Sequence, residues 1–169
     1  MKRLLSLLGC VAMAACQDPV RERLLDELGD EDPAVPVGPL HRPGQPCLAC
    51  HGPEGDAEPR FSFGGTVYQT PGSLEPLHDA RVRFIDSNGE QYAVTSNCAG
   101  NFYSGADNFK PAWPVWMKVE FGEWTAEMVS PSSREGSCAA CHGDPASPSS
   151  VGHVYLVEDD AGFTQERCE

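Results

Sequence analysis

The stretch Ala80-Arg81-Val82-Arg83-Phe84-Ile85-Asp86-Ser87-Asn88-Gly89-Glu90-Gln91-Tyr92-Ala93-Val94-Thr95 decides the fold class. Ala80, Val82 and Phe84 alternate with Arg81, Arg83 and Ile85, the period-two pattern of a strand with one face buried. Asp86-Ser87-Asn88-Gly89 is a turn signal, and Tyr92–Thr95 returns as the partner strand. Working outward, Phe63-Gly64-Gly65-Thr66-Val67-Tyr68 is a further β-rich run, and Gly100-Asn101-Phe102-Tyr103 another. Val115–Phe121 and Trp124–Val129 flank a Gly122-Glu123 turn, and Val151–Val157 closes the series. Short strands at regular intervals, with no long helical period, predict a mainly β chain folded as a small β-sandwich.

The first residues read as an address. Met1-Lys2-Arg3 is basic, and Leu4 to Ala15 is an apolar run too short to span a membrane. It ends on Met13-Ala14-Ala15-Cys16, small residues directly before a cysteine. This resembles the lipobox of bacterial lipoproteins, which implies removal of residues 1–15, acylation of Cys16 and anchoring to a membrane by lipid. The alternative is an ordinary secretory signal, and on either reading the chain is exported. Gln17 instead of Asp after that cysteine tilts the expectation toward the outer membrane. The sequence carries a formal charge of −13, and loss of Lys2 and Arg3 with the signal would make it −15. Such an acidic chain is a poor ligand for nucleic acid. A steered partner would be basic, or the charge serves solubility alone.

Residues 16–46 read as a lipidated tether. Val20–Leu28 has the pattern of a short amphipathic helix ended by Gly29, and prolines 33, 36, 39, 43 and 46 favour extended, unpacked chain. Residues 47–169 then form the domain.

The eight cysteines fall into groups. Cys10 leaves with the signal and Cys16 takes lipid. Cys98 and Cys168, left over in an oxidising compartment, are expected to pair as a disulfide. The remaining four lie in Cys47-Leu48-Ala49-Cys50-His51 and Cys138-Ala139-Ala140-Cys141-His142. Both fit C-x-x-C-H, the attachment motif of c-type haem. Two thiols three residues apart reach the two vinyl groups of one porphyrin, and the adjacent imidazole becomes the proximal iron ligand. One such motif arises by chance only ~0.01 times in a chain of this composition. The expectation is two c-type haems, on segments near 47–60 and 130–150. Thioether positions are Cys47, Cys50, Cys138 and Cys141, with His51 and His142 as proximal ligands. Two Cys-x-x-Cys pairs can also build a Cys₄ zinc site, but zinc does not require a histidine after each pair. Dithiol redox chemistry usually sits in a βαβ context that is missing here.

A low-spin electron-transfer haem needs a second axial His or Met. The candidates are His41, His78, His153, Met117 and Met128. Met117 lies mid-strand, His78 in a turn, and His41 only six residues before the first motif. Met128, ten residues before Cys138, and His153, eleven after His142, are preferred. An unligated iron, open to small ligands such as oxygen, nitric oxide or peroxide, is the alternative. Because the motifs bracket the sandwich, the haems are either neighbours or a two-stop relay, and the sequence leaves both open.

Gly65-Thr66-Val67, Ala80-x-Val82-x-Phe84, Asn88-Gly89, Thr95 and Gly100-Asn101-Phe102 resemble the carboxypeptidase regulatory, or transthyretin-like, domain over about residues 63–121. Ala99 stands where that family usually has an acidic residue. The resemblance implies a seven-stranded Greek-key sandwich, usually without catalytic activity. Over about 47–142 the chain is similar to exported di-haem lipoproteins of Gram-negative bacteria, with a transthyretin-like domain between two haem motifs. The matching residues are both C-x-x-C-H motifs, Phe63–Tyr68, Gly100–Tyr103 and Met128. That similarity implies electron transfer with no particular reaction known, so the expectation is an electron carrier serving redox partner proteins and not an enzyme. Two other readings stay open: a small haem peroxidase or gas-binding protein, and a zinc-binding or partner-binding sandwich lipoprotein. Exposure of Trp113, Trp116 or Trp124 would favour the last.

Overall fold

In the computed structural model, which describes residues 18–144, 146–158 and 162–168, the 80–95 stretch forms the expected hairpin. With strands numbered in chain order, β2 (Arg81–Ile85) pairs antiparallel with β3 (Gln91–Thr95), Phe84 facing Tyr92. The turn is built on Asp86. Its carboxylate accepts from the N–H groups of Asn88, Glu90 and Ala112, each at 2.9 Å. These bonds, Ala112 foremost, hold the carboxyl below the usual range. Gly89 takes φ +80°, which a side-chain-bearing residue rarely adopts.

β5 (Trp116–Phe121) pairs with the other edge of β2, and β6 (Trp124–Glu127) pairs with β5, giving a four-stranded sheet β3-β2-β5-β6. The second sheet has three strands in the order β4-β1-β7, where β1 is Phe61–Tyr68, β4 Asn101–Gly105 and β7 Val154–Tyr155. The chain passes from β1 to β2, β3 to β4, β4 to β5 and β6 to β7 by changing sheet, as a Greek-key sandwich requires. The core lies between the sheets. Phe63 and Val67 of β1 and Val82 and Phe84 of β2 are at most 1 % exposed, and the Phe63 and Phe84 rings stand 4.8 Å apart. Leu77, Phe102, Phe109, Val115 and Val119 complete it.

Three expectations need correction. The last strand is two residues long, not seven. β7 runs parallel to β1 only at Val67 and Tyr68, and the start of the same β1 edge is taken by residues 136–137, where Gly64 N–H donates to Gly136 O at 3.0 Å. β6 stops at Glu127, and Val129 is fully exposed. The tether does not run to Pro46: residues 39–44 lie against the sheet. Asn101 is buried and its amide donates to the carbonyls of Pro39 and His41, at 3.2 and 2.9 Å. Gly44 N–H donates to Thr66 at 2.7 Å. Proline removes donors but leaves carbonyls, and these satisfy the sheet's buried amide.

Among the described residues, those from 31 onward form one unit, and residues 18–30 belong to another. In the latter, α1 (Pro19–Leu28) is capped by the Asp18 side chain on Val20 N–H at 2.9 Å and ends at Gly29. The expected signal and the lipid cysteine, Cys16, lie outside the described residues. Among the described residues no helix is long and apolar enough to cross a membrane.

The candidate haem sites

Each C-x-x-C-H motif forms one tight helical turn. In the first, α2 (Leu48–His51), the N–H groups of Cys50 and His51 both donate to Cys47 O, at 3.3 and 2.9 Å. In the second, a 3₁₀ turn over Cys138–Ala140, the N–H groups of Cys141 and His142 both donate to Cys138 O, at 3.1 and 2.8 Å. A turn of this kind brings positions i, i+3 and i+4 to one side, so both cysteines and the histidine of each motif share a face.

The histidines are oriented alike. His51 Nδ1 lies 2.8 Å from Pro59 O, and His142 Nδ1 lies 3.0 Å from Gly152 O. A carbonyl only accepts, so Nδ1 carries the proton and Nε2 keeps its lone pair. Metal-ligating histidines are typically held in this way by a backbone carbonyl on the other nitrogen. No hydrogen bond occupies Nε2 of either ring among the described residues. The loop that supplies Pro59 is braced by Arg60, whose guanidinium donates to Gly52 O at 2.7 Å and also to Gly55 O. His51 is buried and its ring stacks on Phe61 at 4.3 Å.

Both motifs are seated on the same strand at consecutive glycines. A Cβ on Gly64 would lie 2.9 Å from Cys47 Cβ, and one on Gly65 would lie 2.7 Å from Cys138 Cβ. Only glycine lets the chain approach this closely. Gly64 and Gly65 are adjacent in β1, and successive strand positions face opposite sides of a sheet, so the first motif packs against β1 from the Gly64 side and the second from the Gly65 side. Burial pushes the Cys47 thiol up to about 11 and the Cys138 thiol up to about 12. Dithiol oxidoreductases show the opposite, a thiol lowered toward neutrality. Among the described residues no three His, Cys, Asp or Glu side chains are grouped to hold a metal ion by themselves.

No family model, curated protein or solved structure matches the chain. The site is therefore read from its own geometry. The donor set suits a c-type haem: paired thiols, one imidazole with a free Nε2, and a carbonyl fixing that imidazole, twice over.

The remaining histidines and methionines divide clearly. His153 is buried and lines a small open cleft with His142, Cys138, Thr66, Tyr68 and Asp144. His41 lies beside the first motif, its ring centre 5.8 Å from that of His51. Sequence reasoning gave it little weight because only six residues separate it from Cys47. Its one available signal was the proline-rich run that turns the chain back. His78 uses both ring nitrogens, on Asp79 and on Glu166 O. Met117 packs against the core. Met128 follows β6, its N–H on Met117 O, and so belongs to the four-stranded sheet, whereas both motifs stand on the three-stranded one. Cys98 and Cys168 are joined by a disulfide, Cα atoms 5.5 Å apart. Trp113 packs against the core, while Trp116 and Trp124 are 43 % and 37 % exposed.

Proposed function

We propose that this chain is an exported, lipid-anchored electron carrier with two covalently attached c-type haems. The observation that carries the reading is the repeated arrangement of the two motifs. Each has a helical turn presenting two cysteines, and a histidine held at Nδ1 by a carbonyl with Nε2 free.

Haem supplies the one-electron chemistry between Fe(II) and Fe(III). The chain's residues do the rest. Cys47 and Cys50, and Cys138 and Cys141, are the attachment points; His51 and His142 offer the proximal nitrogens. Gly64 and Gly65 allow both motifs to pack closely on one strand. A Cys₄ zinc site needs four thiols around one point, and the described residues offer no such group. Acylation at Cys16 would keep the domain at the membrane, in the envelope and with the outer membrane favoured. The partners in this reading are redox proteins, and the acidic balance of the chain suits basic ones.

The test is the protein made in a host with c-type maturation machinery. The pyridine haemochrome assay should count two haems per chain, and changing Cys47/Cys50 or Cys138/Cys141 to Ser should remove one each. Stoichiometric zinc and no haem would overturn the proposal.

A further inference from the structure

Two imidazoles bound to one metal, each through a bond of about 2 Å, have ring centres roughly 6 Å apart. His41 and His51 stand at 5.8 Å with an interplanar angle of 29°. The neighbouring stack of His51 on Phe61 is closer, at 4.3 Å, so the histidine pair is not in close face contact. His41 does not swing freely. Its carbonyl accepts from Asn101, and Gly44, three residues on, is bonded to Thr66. Its Nδ1 is buried, makes no hydrogen bond among the described residues, and lies 3.7 Å from Glu31.

A second, independent arrangement surrounds the other motif. His153 is 7 % exposed and shares the cleft with His142. Its Nε2 lies 3.0 Å from Thr70 O, which only accepts, so Nε2 carries a proton and Nδ1 is the ring nitrogen left to bind. That Nδ1 is buried, has no hydrogen-bond partner among the described residues, and lies 3.5 Å from Asp144. Leaving such a nitrogen unsatisfied costs free energy, and a metal is one way to satisfy it.

We propose that both irons are held between two histidines: His51 with His41 at the first centre, and His142 with His153, through Nδ1, at the second. Glu31 and Asp144 act beside them as charged neighbours, and Met128 is not a ligand. This rests on the di-haem reading, and the experiment separates the two.

The holoprotein is first counted for haem; fewer than two per chain overturns the di-haem reading and this proposal with it. Given two haems, the oxidised wild type should be low-spin and lack the weak far-red band of a methionine–iron bond. His41→Ala should turn one of the two haems high-spin and reactive with carbon monoxide. His153→Ala should do so to the other, and Met128→Leu should change neither. A methionine band lost in Met128→Leu overturns the proposal, as do two haems that stay low-spin in both histidine variants. Where an alanine variant fails to accumulate, His41→Met and His153→Met serve instead. A new methionine band at one haem supports the assignment, and an unchanged spectrum refutes it.

Discussion

Gly65→Ala tests the seating of the second motif on β1. The new methyl group would lie 2.7 Å from Cβ and Sγ of Cys138 and 3.0 Å from Phe102 Cζ. Carbon atoms pack best at about 3.5–4.0 Å, so three contacts are short by roughly half an ångström or more. Cys138 and Phe102 are buried, 8 % and 2 % exposed, and cannot move into solvent. Overpacking of this kind costs about 1–3 kcal/mol. The lower entropy of the unfolded alanine chain returns roughly 0.4–1 kcal/mol. The net effect is a destabilisation of about 1–2 kcal/mol. With a urea slope of about 2 kcal/mol per molar, the unfolding midpoint should fall by roughly 0.5–1 M. Gly72 is the control, because nothing lies within 4 Å of a Cβ placed there; Gly72→Ala should leave the midpoint unchanged or raise it slightly. The assay is urea unfolding followed by tryptophan fluorescence on all three proteins. A Gly65→Ala midpoint at or above that of Gly72→Ala would refute the close seating of Cys138 against β1.

Three further outcomes are expected. Opening the Cys98–Cys168 disulfide, which spans 70 residues, by changing both to Ser should cost about 4 kcal/mol on the loop-entropy estimate; a shift under about 1 kcal/mol in urea unfolding would count against a chain-constraining role. Asn101→Ala removes the donor to Pro39 O and His41 O. It should cost roughly 1–3 kcal/mol and speed amide exchange at Gly44, and unchanged exchange there would show that residues 39–44 are held by something else. His78 is raised above its ordinary 6.5, by Glu166 O first, with burial opposing it and Asp79 adding to it. A raised folded value means stability fully present below the unfolded value and lost as pH rises through the folded one. The urea midpoint should therefore fall as pH rises past the ordinary histidine range, and His78→Gln should remove that part of the slope; identical slopes would refute it.

The sandwich was legible because each strand advertises itself locally. Ala80, Val82 and Phe84 point inward whatever the rest of the chain does, since a pleated backbone turns alternate side chains to one face. The turn at Asp86–Gly89 was legible for a like reason: a short acidic side chain and a glycine solve a local problem of donors and dihedral angles. The final strand was overread, because Val151–Val157 is apolar enough for a strand but meets a partner edge already shared with residues 136–137. The proline run at 33–46 was read as loose for want of an apolar period. Its anchor is polar, a buried asparagine amide seeking carbonyls.

What the sequence by itself determined is the chemistry of each motif. Two thiols and an imidazole at positions i, i+3 and i+4 come to one face of any helical turn, so the donor set could be named before any fold was known. What only the tertiary structure decided is how those donor sets meet one another and their neighbours. Contacts such as Gly65 with Cys138, Gly44 with Thr66 and Tyr68 with His153 join residues 22 to 85 positions apart. The chain between them can follow many paths at similar entropic cost. The path is chosen by the packing of both sheets together, and no local pattern carries that information.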